Sequence, residues 1–325
     1  MAPSSPPKDS RQRVCVVFVD GLGVGQRDPR RNPLAAAQSQ LLALYEDELP
    51  CKELPLGGIA VGLDASLSVA GIPQSATGQT ALFAGVNAAR LLGSHYPGFP
   101  NRILRRVLFE RSLLRVARQK GIRAAFVNAY TRLADGKSFE DLLPRVSAST
   151  MACLSAGQPF RTLDDLRAKR AVYQDFTNRQ LVERGHDVPI WSPKEAGAVL
   201  AEVSAGLDLC LYEFFRTDRV GHKQDLERAE GVIFELEEFL SSFLKHVDLH
   251  SQLVLVVSDH GNVEDITFGG HTANRAFAAG WGDGARELVL GWRSLLDFYP
   301  GLLRHFGINP QPWMSGSAEE GEISP

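Results

Sequence analysis

Asp259 and His260 stand side by side at the end of the aliphatic run Leu253-Val-Leu-Val-Val257, and a second imidazole, His271, comes later in Gly269-Gly-His-Thr272. A carboxylate next to an imidazole suits a divalent cation. The pairing recurs upstream, where Asp218 and His222 lie four residues apart and reach one ion if the segment makes a helical turn. Asp20 closes another apolar run, Val14-Cys-Val-Val-Phe-Val19, and Gly21-Leu-Gly23 comes directly after it. Glycines there let the backbone turn tightly and leave the carboxylate facing a cleft. Ser75 precedes a short helical pattern in Pro73-Gln-Ser-Ala-Thr-Gly-Gln-Thr80, with a second hydroxyl at Thr77. A hydroxyl at a helix N-terminus sits where free N–H groups and the helix dipole favour phosphate. Beside a metal it becomes a nucleophile near neutral pH. Each residue also has an ordinary alternative: Asp20 starting a turn, Asp218 capping a helix with His222 in solvent, Ser75 as a plain N-cap.

The elements that carry these residues narrow the choice. The apolar runs 14–19, 207–215 and 253–257 all end in metal-competent side chains. Such runs read as strands of a parallel sheet buried on both faces, and open α/β sheets bind ligands at the strands' carboxyl ends. Arg102 to Gly121 has helical periodicity (Ile103, Val107, Leu108, Leu113, Leu114, Val116), and Arg123–Asn128 reads as the next strand. Asp225–His246 is predicted to be an amphipathic helix with Ile233, Leu236, Phe239, Leu240 and Phe243 on one face. Glu287–Trp292 is expected as the last strand. Residues 133–205 read as loops and helices (163–170, 177–183, 193–202), an irregular insertion or lid without the alternating strands of a separate cap sheet.

A chain of 325 residues suits one α/β domain with an insertion, expected over 14–312 and flanked by disordered tails at 1–13 and 313–325, the second acidic. Hydrophobic content of 44% and charged content of 22% are ordinary for a globular protein. The net charge of −3 gives no electrostatic case for nucleic acid, and Arg102, Arg105 and Arg106 read as the wet face of a helix. Cys15, Cys51, Cys153 and Cys210 are scattered and suggest neither a disulfide framework nor a zinc knuckle. The first residues lack the apolar core of a signal peptide, and no run approaches the roughly 20 apolar residues that cross a bilayer. A cytoplasmic protein without a membrane partner is expected; its oligomeric state is left open.

The ordered set Asp20, Ser75, Asp218-x3-His222, Asp259-His260, His271 resembles the alkaline phosphatase superfamily of two-metal phosphoryl-transfer enzymes. Asp259-His-Gly-Asn-Val-Glu264, His271-Thr-Ala-Asn274, Asp20-Gly-Leu-Gly-Val-Gly25, Thr77-Gly78 and Gly98-Phe-Pro100 are similar to the branch holding cofactor-independent phosphoglycerate mutase and phosphopentomutase. Ser75-Ala76, ten residues ahead of Gly85, is similar to the nucleophile segment of alkaline phosphatase. The resemblance runs from about Val14 to about Trp292. It departs at Arg275-Ala-Phe277, where the mutases have Val-Pro, and at Gln79, where they have His.

The resemblance implies an alkaline-phosphatase-like three-layer α/β sandwich: a mostly parallel central sheet, helices on both faces, and only a small insertion in place of a cap. It implies one ion held by Asp218, His222 and His271, and another by Asp20, Asp259 and His260 with the Ser75 hydroxyl facing it. Ser75 is the expected nucleophile, with Thr77 the runner-up. Mixed Asp and His ligands without Cys fit Mn2+ or Zn2+, with Mg2+ less favoured. The expected partner is a small phosphorylated substrate, with Arg90, His95 and Arg216 as candidate contacts to it. About 70 residues remain for a cap, at the low end of domain sizes. The leading expectation is therefore a phosphate-ester hydrolase working through phosphoserine, ahead of a phosphomutase with an abbreviated lid and a non-catalytic metal-binding homologue.

Overall fold

The computed structural model describes residues 12–131 and 145–313. Its strands are β1 (Arg13–Val19), β2 (Cys51–Leu54), β3 (Gly58–Leu63), β4 (Ala124–Phe126), β5 (Leu209–Phe214), β6 (Gln252–Val257) and β7 (Ala276–Trp281). They form one seven-stranded sheet in the order β2-β3-β7-β6-β1-β5-β4. β4, β5, β1 and β6 lie side by side in parallel. β7 runs antiparallel to β6, and β3 and β2 extend that edge by further antiparallel pairs.

Every residue of β5 and β6 is buried, as is all of β1 after Arg13, because helices cover both faces. Alternate side chains feed two cores. Cys15, Val17 and Val19 pack with Phe176, Leu236 and Phe239 on one side. Val14, Val16 and Phe18 pack with Phe83, Leu108 and Leu302 on the other. The result is the three-layer α/β sandwich expected, with its mostly parallel centre.

On the first face the helix Leu226–His246 is capped by Asp225, which accepts from the Arg228 N–H, and it buries the predicted stripe of Ile233, Leu236, Phe239, Leu240 and Phe243. It packs against the helix Pro193–Ala205 at Gly197, where a Cβ would overlap the Phe239 carbonyl oxygen and approach the Phe243 nitrogen to 2.9 Å. Only glycine permits that approach.

Three expectations are corrected. The periodic stretch 102–121 is two helices, Arg102–Arg111 and Leu113–Gln119, because Ser112 leaves helical geometry and its hydroxyl accepts from the Arg115 N–H, capping the second. Residues 287–292 are not a strand: Ala285–Leu290 is a helix, and the last strand is the small-residue segment Ala276–Trp281. A short apolar run reads equally as buried helix or strand, and here tertiary position decided. Arg13, expected in a tail, is already in β1, where its Nη1 donates to the Ala205 carbonyl at 2.7 Å. Residues 1–11 and 314–325, most of both expected tails, lie outside the described residues, as does 132–144 of the expected insertion.

The described part of that insertion belongs to the body. Its helices are Ala148–Ser155, Leu163–Arg167, Arg179–Glu183 and Pro193–Ala205. Met151, Ala152 and Cys153 enter one core; Phe176, Leu181, Trp191 and Leu200 enter the other. Phe176 stacks between Phe239, at 4.5 Å between centroids, and Phe214, at 5.3 Å. Among the described residues every strand lies in the one sheet, and no helix is long and apolar enough to cross a membrane.

Gly197→Ala should destabilise the chain by about 1–3 kcal/mol, the usual cost of overpacking, read as a lower urea midpoint by circular dichroism. An unchanged midpoint would mean that the two helices separate freely.

Candidate metal centre

The strand order brings the candidate ligands together. Asp20 comes directly after β1, and Asp259 and His260 after its neighbour β6; Asp218 lies in the helix Arg216–Gly221 just after β5, on the other side of β1. His222 ends that helix. His271 comes in on the loop before β7, which an isolated bridge between Gly261 and Thr272 ties to the Asp259 loop. Ser75 opens the helix Ser75–Ala84, whose N-cap residue Gln74 makes no side-chain capping bond, so the first N–H groups of the helix remain available to an anion.

Donor atoms of Asp20, Asp259 and His260 lie within 4.8 Å of one another, and so do those of Asp218, His260 and His271. His260 is common to both sets. Its Nε2 is 3.3 Å from Asp20 Oδ1, 3.4 Å from Asp259 Oδ2 and 2.9 Å from the Ser75 hydroxyl. Asp218 Oδ1 is 3.4 Å from His271 Nε2 and also 3.4 Å from His222 Nε2, so His222 joins through Asp218 from a more exposed position. The remaining ring nitrogens are held outside: His222 Nδ1 by the Gly269 carbonyl at 2.8 Å, His271 Nδ1 by the Pro73 carbonyl at 3.1 Å. Fixing one imidazole nitrogen on a carbonyl turns the other toward an ion.

The electrostatics call for positive charge. Burial and the neighbouring Asp259 charge push Asp20 well above the usual carboxylate range. Its Oδ1 is buried without a hydrogen-bond partner. Burial disfavours a charged His260, but Asp259 and Asp20 outweigh that and raise it to about 10. Burial also opposes ionisation of Asp218, yet the His271 hydrogen bond, the His260 charge and the Asn262 amide hold it at about 2. Mixed carboxylate and imidazole donors crowded in this way fit divalent ions, whose binding displaces ligand protons.

A buried carboxylate, Glu264, sets the loops. It accepts from the Gly23 N–H at 3.0 Å, the Asn262 N–H at 2.7 Å, the Asn274 amide at 3.0 Å and the Thr272 hydroxyl. The Asp20, Asp259 and His271 loops therefore converge on one side chain. Asn262 adds a bond to Asp218 Oδ1 at 2.6 Å. Gln79 donates to Asp20 Oδ2 at 3.2 Å and to Asp259 Oδ2 at 3.0 Å. At Gly78 a Cβ would come within 2.6 Å of the Asp259 carbonyl oxygen, so glycine lets the Ser75 helix sit against the Asp259 turn. These positioning roles were not read from the sequence, although Glu264, Asn262 and Gly78 all lie inside motifs that were.

The two candidate nucleophiles separate. Ser75 faces His260. Thr77 is fully buried, donates to the Gln74 carbonyl at 3.0 Å and lies 3.4 Å from His95 Nδ1. A cleft of about 560 Å³ opens over Asp20, Ser75 and Asp218. Arg90, His95 and Arg216 do not line it: Arg90 is exposed on the helix Ala88–Leu92, the His95 Nε2 meets the Ser66 carbonyl, and Arg216 pairs with Glu235 at 2.7 Å. Among the described residues the cations that do line it are Arg145, Arg184 and Arg219. Glu213 lines it too, buried, and burial raises its carboxyl to about 7 against the pull of a Ser149 hydrogen bond. Its signal in the sequence was a lone charge inside the apolar run 209–215.

The fold and ligand set define an α/β metalloenzyme. A family model described as the Metalloenzyme superfamily matches residues 12–293, and the chain belongs to that superfamily. Among curated proteins it is similar to 2,3-bisphosphoglycerate-independent phosphoglycerate mutases. The match to that of Dinoroseobacter shibae is 33% identical over 79 residues, 23% of this chain and 16% of that protein. For Helicobacter hepaticus it is 25% over 123 residues, 36% and 25% of the two chains. The matched segments thus span a quarter or less of these relatives. Among solved structures the chain resembles the PH0037 protein from Pyrococcus horikoshii, with a TM-score of 0.56, 14% identity and coverage of 94% and 99%. It also resembles the alkaline phosphatase from the Antarctic bacterium TAB5, with a TM-score of 0.53, 12% identity and coverage of 92% and 99%. At such identities the shared property is the alkaline-phosphatase-like fold.

Glu264→Gln points an amide N–H2 at groups that are all donors. It should weaken Mn2+ binding about 10–100-fold, the usual effect of losing a group that orients ligands, measured by isothermal titration. Wild-type affinity in the variant would show that the loops hold their positions unaided.

Proposed function

We propose that this chain is a metal-dependent hydrolase of phosphate esters that works through a phosphoseryl intermediate. The observation that carries the reading is the placement of the Ser75 hydroxyl. It stands at a helix N-terminus, 2.9 Å from His260 Nε2, in the same cleft as Asp20 and Asp218. In this reading Asp218, His222 and His271 hold one ion and Asp20, Asp259 and His260 the other, with Mn2+ or Zn2+ better suited than Mg2+. Two such ions supply the positive charge that stabilises a transferring phosphoryl group and makes a nearby hydroxyl acidic.

The protein's own groups do the rest. The open N–H groups at the start of the Ser75 helix face the phosphoryl oxygens. The Ser75 hydroxyl gives up its proton and its oxygen bonds to phosphorus as the ester oxygen departs with its electron pair and takes up a proton. Water then attacks phosphorus and loses a proton, the Oγ–P bond breaks with Oγ taking one up, and inorganic phosphate and free serine result.

A phosphomutase is the second reading, favoured by the mutase-like segments. A mutase must keep water from its phosphoserine while the acceptor reorients. Hydrolysis is preferred because the described part of 145–205 packs into the two cores rather than forming a sheet-bearing cap.

Ser75→Ala should lower phosphate release from a phosphomonoester by several orders of magnitude with ion binding retained, since slow direct hydrolysis is all that remains. Thr77→Val should be mild. A damaging Thr77→Val with a mild Ser75→Ala would move the nucleophile. With Mn2+ present and a panel of phosphorylated metabolites, phosphate should appear faster than any isomerised ester; the reverse order would put the mutase first.

A further inference from the structure

We propose that Glu213 selects the substrate, its carboxyl receiving a hydrogen-bond donor, hydroxyl or ammonium, carried by the leaving group of the phosphate ester. The inference rests on the reading of the cleft as a phosphate-ester site. Glu213 lies near the carboxyl end of β5, just before the helix that bears Asp218, and it lines the same cleft as Ser75 and Asp20.

Its position is built. The Asn128 side chain grips its main chain from both sides, donating to the Glu213 carbonyl at 2.8 Å and accepting from its N–H at 2.8 Å. Oε2 accepts from the Ser149 hydroxyl at 2.7 Å. Oε1 has no hydrogen-bond partner among the described residues and is not closed off in the core, so what the 7% exposed residue shows to the cleft includes this oxygen. Phe126 and Tyr130 share the cleft wall with it. A carboxyl fixed on its main chain and through one oxygen presents the other to the cleft as a ready acceptor, and a donor on the leaving group would complete it.

Were Glu213 only a tie between β5 and the helix Ala148–Ser155, an acceptor for Ser149 would suffice. Glutamine supplies that acceptor and the same shape, but offers the cleft N–H donors in place of a carboxyl oxygen. Glu213→Gln therefore separates the two roles.

The test is binding, read by isothermal titration on full-length, Mn2+-loaded protein in a Ser75→Ala background, so that turnover does not enter. The probes are propyl phosphate, which lacks a donor, glycerol 3-phosphate, which offers hydroxyls, and O-phosphoethanolamine, which offers an ammonium. At least one donor-bearing ester should bind about tenfold or more tighter than propyl phosphate, as a hydrogen bond to a charged group allows. Adding Glu213→Gln should erase that preference while the propyl phosphate affinity stays within about threefold and the melting temperature holds. Which of the two esters is preferred identifies the donor. Equal binding of all three esters, no binding of any, a preference that survives Glu213→Gln, or equal weakening of all three would overturn the proposal. Failure of the hydrolase reading would show separately, as no phosphate release by the wild-type chain.

Discussion

Carboxylates buried side by side repel, and the carboxyl ends of β6 and β1, together with the helix after β5, bring Asp259, Asp20 and Asp218 to the same imidazole. Nothing in the hydrophobic packing asks for this. The two cores would close as well over neutral side chains, so the crowding is a constraint that the surrounding structure has to satisfy. It does so with whatever positive or donor character lies in reach. His260 keeps a proton far above its ordinary range, the Gln79 amide bridges two of the carboxylates, and the Asn262 amide binds the third. A proton on His260 and two neutral amides are weak compensation for three crowded carboxyl groups. Divalent ions match the deficit in both charge and geometry.

The loops that carry these groups are tied together by a carboxylate that serves as their common acceptor. Glu264 gathers donors from the loops carrying Asp20, Asp259 and His271. By using up main-chain N–H groups behind the site, it leaves the ligand oxygens and imidazole nitrogens to face forward. Fixing the outer nitrogens of His222 and His271 on backbone carbonyls does the same for the rings. Ligands held this way lose little freedom when an ion arrives, which is the physical content of a preorganised site.

The candidate ligands were legible in the sequence because parallel strands buried on both faces write themselves as aliphatic runs, and the residues directly after each run must lie at the sheet's carboxyl end. Asp20, Asp218 and Asp259 were found in that way. The antiparallel strands carry no such mark. β2 and β3 were missed because Cys51-Lys-Glu-Leu54 is half polar and Gly58–Leu63 is small and glycine-bearing; the alanine-rich β7 owes its strand to its place between β6 and β3. The break at Ser112 was hidden for a related reason. Helical periodicity continues across it, and only the hydroxyl's capping bond ends the first helix.

Substrate contacts were the least legible part, and Arg90, His95 and Arg216 show why. They lie near the motifs in sequence, but much of the cleft wall comes from segments remote from those motifs, around 126–131, 145–150 and 173–184. A side chain's nearness to a ligand along the chain says little about which way its element faces. Arg216 lies two residues from Asp218, yet it turns away to Glu235, while Arg219, one residue past Asp218, reaches the cleft. The metal centre is set by the ends of strands that any chain of this fold must have, whereas the wall opposite is set by the helices and loops of 145–205. Those segments also help to fill the two cores, so the cleft wall and the core are built from the same stretches of chain. Tyr173 and Thr150 line the cleft, while Phe176 and Met151 in the same segments are buried in the cores.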